Sequence, residues 1–140
     1  MPTFYHGTRR TDAVAMAGPP GTIDVTRGSG EFGRGFYTQN SKSNALTWAQ
    51  NRFPVQGPCL LEVEIDDKEY TNLQIRVLSH KQAARLTQRL RNQGTLTTHV
   101  EGVDVVVGPL TGSRWIEQQK FESLNSQTLL NGPKTKTRIV

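Results

Sequence analysis

The chain has 140 residues, enough for one ordinary domain with a real core and too few for two independent ones. Hydrophobic residues make up 34% and charged residues 21%, a globular profile, and no stretch nears the roughly 18 consecutive apolar residues of a membrane span. Seventeen Lys and Arg against twelve Asp and Glu leave a net charge of +5, which draws polyanions, whether a nucleic acid or the pyrophosphate of a dinucleotide, without choosing between them.

In chain order, Thr3-Phe4-Tyr5-His6 reads as a short strand and Arg9 to Ala17 as a helix with Ala13, Val14 and Ala17 toward the core. Gly18-Pro19-Pro20-Gly21 breaks the chain, and a long glycine-rich loop from Arg27 to Gly33 leads into a strand at Gly35-Phe36-Tyr37-Thr38. Ser41 is placed to cap a helix running to about Asn51, with Ala45, Trp48 and Ala49 on one face. Leu61, Val63 and Ile65 alternate with Glu62, Glu64 and Asp66, the mark of a strand with one wet face, and Leu73, Ile75 and Val77 repeat the pattern. Ser79-x-x-Gln82 resembles a capping box opening a helix to about Asn92, whose stripe is Ala83, Leu86 and Leu90, with Gly94 as its stop. Asp104-Val105-Val106-Val107-Gly108-Pro109 is continuously apolar and fits a central strand. Trp115 to Ser123 gives another strand, Leu124 to Leu130 a last helical turn, and residues 133–140 a loose basic tail after a single domain over 1–132.

Several chemistries are excluded by spacing. Gly28-Ser29-Gly30-Glu31-Phe32-Gly33 fits G-x-G-x-x-G, but a strand rather than a helix follows and Phe53 stands about twenty residues on, where an acidic ribose ligand belongs; a flexible loop is the plainer reading. His6, His80 and His99 lie far from one another and from Cys59, so no zinc-type spacing exists and no metal is expected. Cys59, alone and inside the apolar run CLLEVEI, reads as a small buried hydrophobe. The N-terminus MPTFYHGTRR has no basic segment followed by an apolar run, so no cleaved signal peptide is expected.

Three separated clusters remain: Tyr5-His6-Gly7-Thr8, Gly33-Arg34-Gly35-Phe36-Tyr37-Thr38, and Glu117-Gln118-Gln119-Lys120-Phe121. In that order they resemble the ADP-ribosyltransferase superfamily, in its diphtheria toxin and poly(ADP-ribose) polymerase branch, whose signature is a His, a Tyr and a Glu on three strands. The closer likeness is to an uncharacterised bacterial toxin-like domain family of that branch. It has YHG near the start, D/E-F-G-x-G-F-Y followed by A-x-x-W-A, then D-x-V-x-G-P, and finally Q-x-x-F before a short helix. Glu31 to Tyr37, Ala45 to Ala49, Asp104 to Pro109, and Gln118 to Phe121 are the matching segments.

The resemblance implies an α+β fold in which two small mixed or antiparallel sheets form an NAD-binding cleft flanked by helices. It implies a mono-ADP-ribosyltransferase that cleaves NAD⁺, releases nicotinamide and passes ADP-ribose to a macromolecule. By the same resemblance His6 bonds the adenosine ribose, the backbone at Gly7 pairs with the nicotinamide amide beside Thr8, and Tyr37 stacks on the nicotinamide. Gly35 and Phe36 flank that tyrosine, Trp48 is a candidate second wall or else a core residue of its helix, and Arg27 and Arg34 are candidates for the pyrophosphate. Glycine suits position 7 because a Cβ would obstruct a ligand approaching the backbone.

The departure from the wider superfamily is Gln118 at the place of the catalytic Glu. A carboxamide orients a ribose hydroxyl but brings no charge and no base. Glu117 is its alternative, although neighbouring strand residues face opposite ways unless a bulge shifts the register. The acceptor is an RNA, favoured by the basic chain and by Lys81, Arg85 and Arg89 at i, i+4 and i+8 with Arg91 nearby, or a protein side chain; an ordinary solvated helix face also accounts for those cations. An immunity protein is an expected partner, with no membrane. The expected location is the cytoplasm of the producing or target cell, reached by a specialised secretion system. Two rival readings are a non-catalytic NAD⁺ or ADP-ribose binding module and a plain basic RNA-binding domain.

Overall fold

The computed structural model describes residues 2–28, 30–93, 102–110, 113 and 115–140. Ser29 of the glycine-rich loop, the helix stop assigned to Gly94, and His99 lie outside the described residues. The fold is α+β. Its strands are β1 (Thr3–Arg9), β2 (Phe36–Gln39), β3 (Pro58–Ile65), β4 (Ile75–Val77), β5 (Val105–Pro109), β6 (Glu117–Phe121) and β7 (Thr135–Ile139). Its helices are α1 (Arg10–Met16), α2 (Lys42–Arg52), α3 (Asp67–Thr71), α4 (His80–Gln93) and α5 (Leu124–Asn131). The strands follow the order β4-β5-β6-β2-β1-β3-β7 in one sheet, which corrects the expectation of two small sheets. Alternation along a strand reveals which face is buried, whereas strand order depends on pairings between distant segments that leave no local mark.

Two compact units make up the chain. The first comprises Met1–Ile23, Thr38–Asn72 and Thr128–Val140, the second Asp24–Tyr37 and Leu73–Gln127.

In the first unit β1 runs antiparallel to β3 along its whole length, from Thr3 opposite Glu64 to Arg9 opposite Pro58. β3 carries the expected alternation, with Leu61, Val63 and Ile65 fully buried. Its other edge is taken by β7, with Leu61 opposite Ile139 and Ile65 opposite Thr135, so the segment expected to be a loose tail is a paired strand. It escapes a hydrophobic pattern because Thr135 and Thr137 fill its inward positions. Its outward cations meet acids across the ladder: Lys136 stands opposite Glu64, and Arg138 Nη2 lies 2.6 Å from Glu62 Oε1.

Helix α2 starts where Ser41 Oγ accepts the Asn44 N–H at 3.1 Å, the cap read from the sequence. Ala45 and Ala49 are its buried residues. A Cβ on Gly7 of β1 would run into the Ala45 carbonyl oxygen and come within 3.2 Å of Ala49 Cβ, so the glycine admits the helix backbone to the strand. On α1 the core contact is Ala13, packed with Cys59 and Leu61; Val14, expected inward, is 59% exposed because the helix is a short one with a single buried position. The short α3, which no hydrophobic pattern announces, is capped by Asp66 Oδ1 accepting the Glu69 N–H at 3.1 Å.

In the second unit β5 lies between β4, parallel to it, and β6, antiparallel to it. That central place suits its apolar run, and Val105, Val106 and Val107 are all buried. The capping box of α4 is reciprocal: Ser79 Oγ accepts from Gln82 N at 3.2 Å, and Gln82 Oε1 from Ser79 N at 2.9 Å. Its stripe Ala83, Leu86 and Leu90 packs with Phe32, Leu78 and Val106.

The Gly7→Ala variant is expected to lose about 1–3 kcal/mol of stability, because the new methyl meets a backbone oxygen that cannot step aside. Denaturant unfolding followed by circular dichroism measures it, and an unchanged midpoint would contradict the close helix approach.

Candidate functional site

The sequence-derived site residues fall into two groups, one in each unit. In the first unit His6, Gly7 and Thr8 are consecutive on β1, opposite Leu61, Leu60 and Cys59 of β3. Alternation puts His6 and Thr8 on the face shared with Leu61 and Cys59, which α1 covers through Ala13, and turns the α-carbon hydrogens of Gly7 to the α2 face. The absence of a side chain at position 7 is thus explained by helix packing, in place of the ligand approach expected from sequence. Trp48 is 50% exposed and meets Phe53 edge-on at 5.9 Å; Ala45 and Ala49 do the packing of its helix.

In the second unit the glycine-rich segment is closed on itself. Phe32 is fully buried against α4 and β5, and Gly33 turns the chain with φ 95°, a conformation that favours glycine. The Tyr37 hydroxyl donates to the Gly33 carbonyl at 2.6 Å and accepts from the Phe32 N–H at 2.9 Å. Its ring lies against Gly30, where a Cβ would come within 2.5 Å of Cζ. Burial first, then the Glu31 and Glu122 carboxylates, push the Tyr37 phenol well above its ordinary range, only partly offset by the Phe32 N–H. Tyr37 is therefore a neutral, fixed ring and not a base. Phe36 is buried and tilted on Phe121, ring centroids 6.3 Å apart. Arg27 reaches into solvent, 3.5 Å from Asp24, while Arg34 is half-buried.

Strand β6 presents Gln118, Lys120 and, continuing the period, Glu122 on one side, and Glu117, Gln119 and Phe121 on the other. Gln118 is buried, paired in register with Gly108, and its Nε2 donates to the Pro109 carbonyl at 3.4 Å. Glu117 is exposed at the start of the strand.

Sequence reading passed over Lys120 and Glu122. Both side chains are fully buried, with Lys120 Nζ 2.8 Å from Glu122 Oε1. Glu122 Oε2 also accepts the Gly102 N–H at 3.2 Å. The lysine stem passes the backbone of Gly35, where a Cβ would stand 2.7 Å from Lys120 Cγ. The signal was present: opposite charges two apart on a strand share a face. Asp104 anchors the end of the same sheet, accepting from Ser123 Oγ at 2.6 Å and from the Gln74 N–H at 2.8 Å.

Chemically, a neutral phenol ring and a carboxamide on neighbouring strands can stack and orient a ligand but cannot remove a proton near neutral pH. Among the described residues no group of three His, Cys, Asp or Glu is placed to hold a metal ion, and no helix is long and apolar enough to cross a membrane. Compared with the models of known protein families and with curated proteins, the chain matches none.

Two outcomes follow from this geometry. A tyrosine whose folded pKa is raised adds stability that is full below its unfolded value of about 10 and is lost as pH rises beyond it. Alkaline titration of phenolate absorbance is therefore expected to show Tyr37 ionising only together with unfolding, a step absent from Tyr37→Phe; ionisation of Tyr37 in the folded protein would contradict its burial. Lys120→Met, which strands a buried carboxylate, is expected to cost about 3–5 kcal/mol, and Lys120→Met/Glu122→Gln to recover most of it, read by chemical denaturation.

Proposed function

We propose that this protein is a mono-ADP-ribosyltransferase that cleaves NAD⁺ and passes ADP-ribose to a macromolecular acceptor. The observation that carries the reading is the resemblance of three segments, in order, to the superfamily's His, Tyr and late-strand positions. One feature of the molecule accords with it: β2 and β6, bearing Tyr37 and Gln118, are neighbours in the sheet. The register of β1 on β2, with Tyr5 opposite Gln39, puts Tyr5 and not His6 on the face of Gln39. The finer fold assignment, to the ADP-ribosyltransferase type, belongs to the same proposal.

In this mechanism the bond between the ribose C1′ and the nicotinamide nitrogen breaks, and nicotinamide leaves as a neutral molecule with the electron pair. The acceptor's lone pair closes on C1′, and its proton passes to solvent. By the resemblance alone, His6 is assigned to the adenosine ribose, the Gly7 backbone to the carboxamide of nicotinamide, and Tyr37 to stacking on its ring. Gln118 orients the ribose hydroxyl; Arg27 and Arg34 are the candidates for the pyrophosphate. Because Gln118 carries no charge to meet the developing cation, this reading favours slow transfer, or an acceptor that needs no enzyme base. The same uncharged residue is what favours a second reading, a module that binds NAD⁺ without cleaving it.

Nicotinamide release from NAD⁺, measured by chromatography with and without a bacterial cell extract, separates the two. The wild-type chain is expected to release nicotinamide, and His6→Ala and Gln118→Ala to release it about 10²–10³-fold more slowly. Binding of NAD⁺ without release supports the binding module, and neither binding nor release overturns both readings. With labelled NAD⁺, label lost to ribonuclease identifies an RNA acceptor, and label lost to protease a protein one.

A further inference from the structure

The charge of the chain is concentrated in one place. Between Leu73 and Gln93 there are five basic residues, Arg76, Lys81, Arg85, Arg89 and Arg91, and no Asp or Glu. The other twelve Lys and Arg balance the twelve Asp and Glu, so this segment accounts for the whole net charge of +5. All five side chains are exposed. Four of them are on α4, and Arg76 is on β4, the edge strand of the sheet, which leads into that helix.

On α4, Lys81, Arg85 and Arg89 recur every fourth residue, so they form a ridge with steps of about 6 Å along the axis. We infer that this ridge is a docking surface for the phosphodiester backbone of a nucleic acid. A line of evenly spaced cations fits a polymer with evenly spaced negative charge. The helix carries no Phe, Tyr or Trp to stack on a base, so recognition rests mainly on phosphates and reads little of the base sequence.

The packing of the helix argues against an anionic membrane. A helix that lies in a bilayer surface needs a free apolar face to insert. The apolar face of α4 is Ala83, Leu86 and Leu90, already buried against Phe32, Leu78 and Val106. What α4 offers to solvent is a polar side on which every formal charge is positive. This surface is independent of whether the chain transfers ADP-ribose; if it does, the ridge would present a nucleic-acid acceptor.

The test is binding of a short fluorescent single-stranded RNA of mixed sequence, followed by anisotropy at ~50 mM and ~200 mM salt, the range over which phosphate contacts weaken. Wild-type affinity is expected to fall with salt at a log–log slope of about 2, as three contacts to a single strand imply. Arg85→Gln/Arg89→Gln, both on the exposed side, is expected to bind at least ~10-fold more weakly, with its slope reduced to about 0.7. A control, Lys134→Gln/Lys136→Gln, removes the same charge from exposed positions in the other unit. If both variants lose affinity equally, net charge alone is responsible and the ridge is overturned. Circular dichroism checks that the variants remain folded, and Arg85→Lys/Arg89→Lys, which keeps the charge, is expected to retain binding. Phosphatidylserine vesicles or polyglutamate competing as well as unlabelled RNA would overturn the assignment in favour of a membrane or an acidic protein.

Discussion

Within the second unit the strongest constraint is the ion pair between Lys120 and Glu122, closed off from solvent on every side. Two charges removed from water cost several kcal/mol each, and their attraction offsets this only where geometry is good and the remaining lone pairs find donors. Here the donor is the Gly102 N–H. The pair in turn limits its neighbours. The lysine stem leaves no space for a side chain at position 35, while burial above all, with Glu31 and Glu122 adding to it, raises the cost of ionising the Tyr37 phenol, which stays bonded to Gly33 and Phe32. The glycines of the segment 30–35 are therefore read most simply as packing and turn requirements. A flexible loop would need none of these contacts.

The first unit rests on a different economy of space. Its central strand β1 is short of bulky residues where α2 crosses it, so that Ala45, Ala49 and Gly7 meet nearly backbone to backbone. Small residues on both partners bring the helix close and leave the large side chains of β3 to fill the volume elsewhere. The acids of β3 are met by the cations of β7, so the strand's wet side is neutralised by its own neighbour. The basic tail is consequently used up structurally, through backbone pairing along its length.

What could be read from sequence was what local chemistry decides. The Ser41 cap, the Ser79 and Gln82 capping box, the stripe on α4, the alternation of β3 and the central place of β5 each depend on residues a few positions apart, and each stands in the structure. The misses all turn on non-local facts. β7 has threonine at its inward positions and becomes a strand only because β3 offers it an edge. β2 was legible as a strand, but not its place between β6 and β1 in the sheet order. For the candidate site, the positions of Tyr37 and Gln118 on their strands were legible, but not that Tyr37 is tied down by its hydroxyl, nor that a buried ion pair lies two residues along from Gln118.

The distribution of charge links these local facts to what the molecule can do. Inside the second unit, Lys120 cancels Glu122, and the Asp104 carboxylate is held by a hydroxyl and a backbone N–H. In the first unit the acids of β3 are answered by β7. The segment from 73 to 93 holds five cations and no Asp or Glu and accounts for the chain's net charge, so it is where a positive field is concentrated. Positive potential on one helix face raises the encounter rate with any polyanion, whereas a neutral phenol and a carboxamide discriminate by shape and hydrogen bonding. In the proposed function the two features serve separate ends, capture and orientation. Their separation means that the capture face can be altered by charge substitutions on α4 without touching the bonds that hold Tyr37, which run through Gly33 and Phe32 instead.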